Sequence, residues 1–222
     1  MKSGRILITI AATVGLCASA SAQPLVFTFD TGAQNFQNFT WSSTGPAGWS
    51  GGACIQALAT TGGWTLGGTF NYYHEFDFAS GQQPIMQALS ASGAGHVSFD
   101  VLLDGTSFPN NTGTWYSIIA AGNSAGATGW TQISDITGSG LWRNSGDTSL
   151  LSTHVDLTFT QLGWNDAADA TGWFQLYFGA NSDAAHPMDF YIDNVTVYAV
   201  PEPSTLALAG LGAAALLIFR RK

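Results

Sequence analysis

Positive charge is nearly absent from the body of this 222-residue chain. Lys2, Arg5, Arg220, Arg221 and Lys222 lie at the two ends, so Arg143 is the only Lys or Arg between Gln23 and Tyr198. Against it stand Asp30, Glu75, Asp77, Asp100, Asp104, Asp135, Asp147, Asp156, Asp166, Asp169, Asp183, Asp189 and Asp193. A surface this short of cations cannot neutralise phosphates and release their counterions, which excludes nucleic acid as a partner. Polyanionic glycans and anionic lipid headgroups are disfavoured for the same reason, whereas neutral polysaccharides and divalent cations stay compatible.

Cysteine is scarce as well. Cys17 falls in the N-terminal apolar segment, so Cys54 is alone in the remainder, and no disulfide can form within it. Stability must come from packing, with or without a metal ion. Helical periodicity is missing too: only Pro84 to Ser92, with Ile85 and Leu89 four apart, suggests a helix, and a parallel sheet needs crossover helices.

Catalytic signatures are equally thin. His74, His96, His154 and His186 form no HxH or HxxxH pair, no Ser sits in a G-x-S-x-G elbow, and Cys54 has no protease signature around it. Glu75 with Asp77 is the only close carboxylate pair containing a Glu, and the wet face of a strand explains it. No catalytic residue is assigned, and an enzyme is not expected.

What the chain does have is 27 glycines, 13% aromatic residues and recurrent short alternating segments. Strands are expected over 25–29, 36–41, 53–59, 71–78, 96–103, 114–120, 129–134, 153–162, 173–179 and 189–198. Between them lie turn-forming clusters such as Asp104-Gly105-Thr106 and Asn144-Ser145-Gly146-Asp147. Many strands with almost no helix specify an all-β domain, a two-sheet antiparallel jelly-roll sandwich over residues 23–199. Ala127-Thr128-Gly129-Trp130 recurs as Ala170-Thr171-Gly172-Trp173 without any intervening repeat, so the recurrence reads as compositional.

The ends are delivery signals. Lys2 and Arg5, the apolar run Ile6 to Leu16 and the small residues Ala18 to Ala22 make residues 1–22 a secretory signal peptide for signal peptidase. Residues 200–222 hold Pro201-Glu202-Pro203, the apolar stretch Leu206 to Phe219 and the basic tail Arg220-Arg221-Lys222. That order resembles the PEP-CTERM sorting signal, which implies handling by an exosortase in a bacterium that makes exopolysaccharide. The fourteen apolar residues cover about 21 Å as a helix, a marginal membrane anchor. The basic tail would stay on the cytoplasmic side, leaving the ectodomain outside and only transiently membrane-anchored, in the cell envelope or extracellular matrix.

Phe190-Tyr191-Ile192-Asp193-Asn194-Val195-Thr196-Val197-Tyr198 resembles the closing strand of jelly-roll carbohydrate-binding modules, and Val26-Phe27-Thr28-Phe29-Asp30 resembles their opening strand. The resemblance implies a structural calcium ion near Asp30 and Asp193, where those strands meet. Independently, Phe190 and Ile192 share one parity and Val195 and Val197 the other, so a β-bulge is expected at Asp193-Asn194. Capping of an edge by Asp193 and Asn194 is the competing reading.

All eight tryptophans lie in the ectodomain. Trp115 and Trp173, within strand patterns, read as core residues. Trp49, Trp64, Trp142 and Trp164 sit beside glycines or in turn-rich segments, which makes them candidates for stacking on sugars; caps on the sandwich ends are the alternative. The sequence therefore suggests a non-catalytic surface module serving adhesion or neutral-polysaccharide binding. A structural matrix protein without a defined ligand is the second reading, and a glycan-active enzyme the third.

Overall fold

The computed structural model describes residues 23–47, 49, 51–57, 72–104, 114–133, 136, 141–143, 150–182, 189–200, 210 and 212; for 114–118, 141–143, 150–151 and 180–182 it describes the backbone alone. The expected signal peptide, Trp64 and the Pro-Glu-Pro motif with its basic tail lie outside these residues. Among the described residues no helix is long and apolar enough to cross a membrane.

The strands form two antiparallel sheets, as the alternating segments required. In the first, β2 (Thr40–Ser42), β3 (Cys54–Ala57), β11 (Phe190–Ala199), β5 (Gly95–Asp104) and β9 (Leu150–Thr158) lie side by side, and β1 (Leu25–Phe27) also pairs with β11. The second runs β4 (Tyr72–Phe76), β10 (Phe174–Ser182), β6 (Thr114–Ser124) and β7 (Trp130–Ile133), with β8 (Leu141–Arg143) paired to β6. Helix α1 (Gln82–Ser92) and a 3-10 helix (Ala167–Ala170) pack against each other at one end.

Alternation sends Val97, Phe99, Val101 and Leu103 of β5 and Phe174, Leu176 and Phe178 of β10 into one core between the sheets. Phe99 meets Phe178 edge-on at 4.9 Å across that core. β11 contributes both Phe190 with Ile192 and Val195 with Val197, because the β5 register shifts between Asp193 and Thr196 and Asn194 adopts φ 52. This is the bulge expected from the parity slip.

Several local expectations are corrected. Residues 36–39 are a loop whose only ladder contact is the bridge of Gln37 to Tyr73, and Phe36 and Phe39 are buried from that loop. β9 ends at Thr158; Phe159 to Gly163 form a turn, with the Phe159 amide bonded to the Gly95 carbonyl and the Leu162 amide to the Thr158 carbonyl. Strand β8 was not anticipated.

Trp164 is the sharpest correction. It is fully buried, with its ring edge-on to Phe159 at 5.1 Å, Phe174 at 5.7 Å and Phe76 at 6.0 Å. Its glycine neighbour marks a turn, with Gly163 at φ 70, and not an open ring face. The ring also needs Gly122, where a Cβ would stand 2.6 Å from the indole nitrogen and collide with the Leu162 carbonyl. Trp173, by contrast, was read as core and is 40% exposed. Equilibrium denaturation should separate the two: Trp164→Ala should cost about 3 to 5 kcal/mol through the cavity it leaves, and Trp173→Ala about 0.5 kcal/mol or less.

Candidate functional site

The outward side of the second sheet carries Tyr73, Tyr177, Trp130 and Trp173, of which sequence reading had assigned only Trp173, to the core. Odd positions of β4 and β10 point away from the core, and the register sets Tyr73 opposite Tyr177 and Glu75 opposite Gln175. On the other side of β10, Gln175 lies opposite Asn123 and Tyr177 opposite Ala121; β7 continues the rows with Trp130 beside Asn123 and Gln132 beside Ala121.

Tyr73 and Tyr177 stack at 5.2 Å with a 26° interplanar angle, and Trp130 meets Tyr177 edge-on at 5.0 Å. The rings of Tyr177 and Trp130 reach each other from strands on either side of β6. A small residue, Ala121, at the position opposite Tyr177 leaves room for that contact. Trp173 directly precedes β10, and alternation carries it to the same face. Its carbonyl accepts from the Ala125 amide at 3.3 Å, which continues the ladder.

The recurrent tetrapeptide thereby gains a structural meaning. Each copy is a turn that delivers an exposed tryptophan onto this face, with Trp130 at 39% and Trp173 at 40% exposure. Gly129 has φ 60, and a Cβ on Gly172 would collide with Ala125. The side chains of Gln83 and Gln87 on α1 both donate to the Gly172 carbonyl, at 2.6 and 2.8 Å, and hold the second turn in place.

Polar groups between the rings are ordered by Gln175. Its Oε1 accepts from the Tyr177 hydroxyl at 2.8 Å and from Asn123 Nδ2 at 3.1 Å, while its Nε2 donates to Glu75 Oε2 at 3.5 Å. Burial raises the Tyr177 phenol above its ordinary value, so it stays protonated and keeps donating to Gln175. Asp77 Oδ1 accepts from both the amide and the hydroxyl of Ser80, each at 2.7 Å.

The other sequence candidates fall elsewhere. Trp49 is half-buried and packs over Cys54, Leu102 and Tyr191 on the outside of the first sheet, where it meets the Tyr191 ring at 6.4 Å. Trp142 is the register partner of Trp115 between β8 and β6. Trp64 lies outside the described residues, and Trp164 belongs to the core. Trp130, Tyr73 and Tyr177 were missed because alternating polar and apolar residues look alike on a wet face and a functional one; the two-copy tetrapeptide was the available signal.

The bulge brings carboxylates together. Asp193 is only 1% exposed, and its Oδ1 accepts from the Asn194 amide at 2.7 Å. Asn194 Nδ2 donates to Asp100 Oδ2 at 2.9 Å, and Asp100 Oδ1 meets His154 Nδ1 at 2.7 Å. Burial, together with the charges of Asp100 and Asp30, pushes the Asp193 carboxyl up to about 6, against the pull of the Asn194 amide. Burial, with Asp193 beside it, pushes the Cys54 thiol up to about 12 and keeps it unreactive. Among the described residues no three His, Cys, Asp or Glu side chains gather as a metal-ligand group. An ion at the bulge would therefore draw on Asp193, Asp30 and oxygens of other kinds.

Residues 199–222 match the family model of the PEP-CTERM protein-sorting motif, which marks the chain as an exported protein. No curated protein matches the chain. Among solved structures, it is similar to the CBM22-1 xylan-binding domain of Xyn10C from Paenibacillus barcinonensis, with 11% identity over 83% of this chain and 99% of that one, TM-score 0.44. It is also similar to CBM27-1 of Caldicellulosiruptor saccharolyticus, solved in complex with mannohexaose, at 14% identity over 79% and 97% of the two chains, TM-score 0.33. A third is the K1 cleaved adhesin domain of Lys-gingipain from Porphyromonas gingivalis W83, at 14% identity over 80% and 99%, TM-score 0.37.

The raised Asp193 carboxyl has a definite consequence for stability. A carboxyl that holds its proton more tightly folded than unfolded opposes folding once ionised, so its penalty is full above about 6 and disappears as the pH falls towards the ordinary 3.8. That window corresponds to at most about 3 kcal/mol. Without added metal, Asp193→Asn should raise the melting temperature at neutral pH, and the advantage over the parent should vanish near pH ~4. An advantage that persists unchanged in acid would mean that Asp193 titrates normally.

Proposed function

We propose that the protein is a non-catalytic surface module that binds neutral polysaccharide, and so serves adhesion in the extracellular matrix, through the outward face of its second sheet. One observation carries the reading: Tyr73, Tyr177 and Trp130 form a continuous row of ring contacts across that face, with Trp173 exposed beside it. Exposed rings take the apolar faces of sugars, and the Glu75, Gln175 and Asn123 row offers hydrogen-bonding groups to hydroxyls. Lys and Arg are absent from β4, β6, β7 and β10, which removes the usual means of holding an acidic sugar.

Delivery fits this role. Signal peptidase would remove residues 1–22, and an exosortase would act on the Pro201-Glu202-Pro203 junction, releasing the sandwich from its transient membrane anchor. Affinity measurements on the full-length protein with neutral oligosaccharides test the site. Trp130→Ala and Trp173→Ala should each weaken binding by about 1 to 3 kcal/mol without unfolding the domain, the range of a central contact residue. Binding that survives both changes would move the site off this face.

Calcium at the bulge is a second part of the proposal. Among the described residues the buried Asp193 carboxylate, pressed by Asp30 and Asp100, has no cationic partner that would explain its ionised form, and a divalent ion would supply one. Bound only to the folded chain, calcium at a hundredfold its dissociation constant would add about 2.7 kcal/mol. Thermal melts in calcium and in chelator should differ for the parent and coincide for Asp193→Asn. Identical melts for the parent would remove the ion from the proposal.

A further inference from the structure

Glu75 occupies an unusual position on the proposed sugar face. It lies two residues from Tyr73 on β4, diagonal to Tyr177 across the β4–β10 pair and directly opposite Gln175, while Trp173 directly precedes β10 on the same face. Diagonal neighbours on one sheet face stand about 7 to 8 Å apart at their backbones, within reach of long and aromatic side chains. One carboxylate thus shares its face with three aromatic side chains. It is exposed, and its hydrogen bond among the described residues is the long 3.5 Å one from Gln175 Nε2.

The surrounding hydrogen bonds bias what this subsite can accept. Tyr177 spends its proton on Gln175, Asn123 lies within hydrogen-bond reach of the phenol oxygen, and Gln175 Oε1 is filled by Tyr177 and Asn123. Another carboxylate, Asp77, follows β4 directly, with one oxygen occupied by Ser80. Negative charge therefore stands at Glu75, amid ring faces and with no Lys or Arg in the neighbouring strands. Carboxylate and rings together are the surroundings that stabilise an ammonium group, through a charge-assisted hydrogen bond and cation–π attraction.

We propose that Glu75 makes this face selective for amino sugars: a glycan chain, otherwise neutral, that carries a free amine and places its ammonium against the Glu75 carboxylate beside Tyr73, Tyr177 and Trp173. The inference rests on the reading of the face as a polysaccharide site and replaces its neutral ligand with a chain that carries free amines. An N-acetylated chain would lose the charge while keeping the ring faces, so the acetyl group decides the affinity. The acidic surface of the whole domain adds attraction for such a polycation at long range.

The test is calorimetric titration of the full-length protein at mildly acidic pH with three hexasaccharides: de-N-acetylated glucosamine, its N-acetylated counterpart and a neutral glucan of the same linkage. Hexalysine serves as a fourth probe. The amine hexasaccharide should bind at least about tenfold more tightly than the other two sugars. Added salt should erode the preference, Glu75→Gln should bring the amine ligand down to the level of the N-acetylated one, and Asp156→Asn on the opposite sheet should change nothing. Equal affinity for all three sugars would overturn the amino-sugar assignment while leaving the polysaccharide reading standing. Hexalysine binding as tightly as the amine sugar would overturn it in favour of unspecific charge attraction. Absence of binding by every sugar would remove the polysaccharide reading itself.

Discussion

β11 pairs with β1 and β3 along one edge and with β5 along the other, and the bulge at Asp193 and Asn194 lets one strand serve all three. A regular strand has side-chain period 2, so it could bury Phe190 and Ile192 or Val195 and Val197, but not both pairs. Taking up one extra residue resets the phase, and all four enter the core. The same extra residue leaves Asp193 and Asn194 together on the outer side, with one carboxylate almost sealed from water. Core continuity and the raised Asp193 carboxyl are two results of one backbone irregularity.

With the first sheet fixed in this way, the second presents the aromatic face on which the proposed binding rests. Its inward residues Phe178 and Phe174 are held by ring contacts with Phe99 and Trp164, and α1 fixes the turn before β10 through Gln83 and Gln87. Paired strands under an aromatic row mean that a ligand of the proposed site would meet rings already in position, which would reduce the ordering cost of binding. The outward side of the first sheet has a different chemistry. There Asp156 joins His96 Nδ1 at 2.9 Å and the Tyr198 hydroxyl at 2.6 Å, and Asp100 joins His154 and Asn194, so its polar groups bind one another across β5, β9 and β11. Neighbouring strands are tied together, and less hydrogen-bonding capacity is left for a ligand.

The tryptophans show how far a sequence reading carries. Glycine beside Trp164 and glycine beside Trp173 look equivalent in the chain, yet the first ring is fully buried and the second is 40% exposed. Gly163 turns the chain so that Trp164 enters the space above Gly122, whereas Gly172 lies against Ala125 and sends Trp173 onward into the strand alternation. The difference lies in what each glycine packs against, a contact between residues far apart in the sequence. The repeated Ala-Thr-Gly-Trp was visible from the start, but its two copies gain a common role only because β7 and β10 both flank β6.

The sequence by itself determined the C-terminal sorting motif, the all-β class, the acidic balance of the ectodomain, and the phase slip in the last strand. Each follows from composition or local periodicity, which act on neighbouring residues along the chain. Only the tertiary structure decided which aromatic residues share a face, because strand register joins Tyr73 to Tyr177 across more than a hundred residues, and a one-residue change of register would have turned either ring into the core.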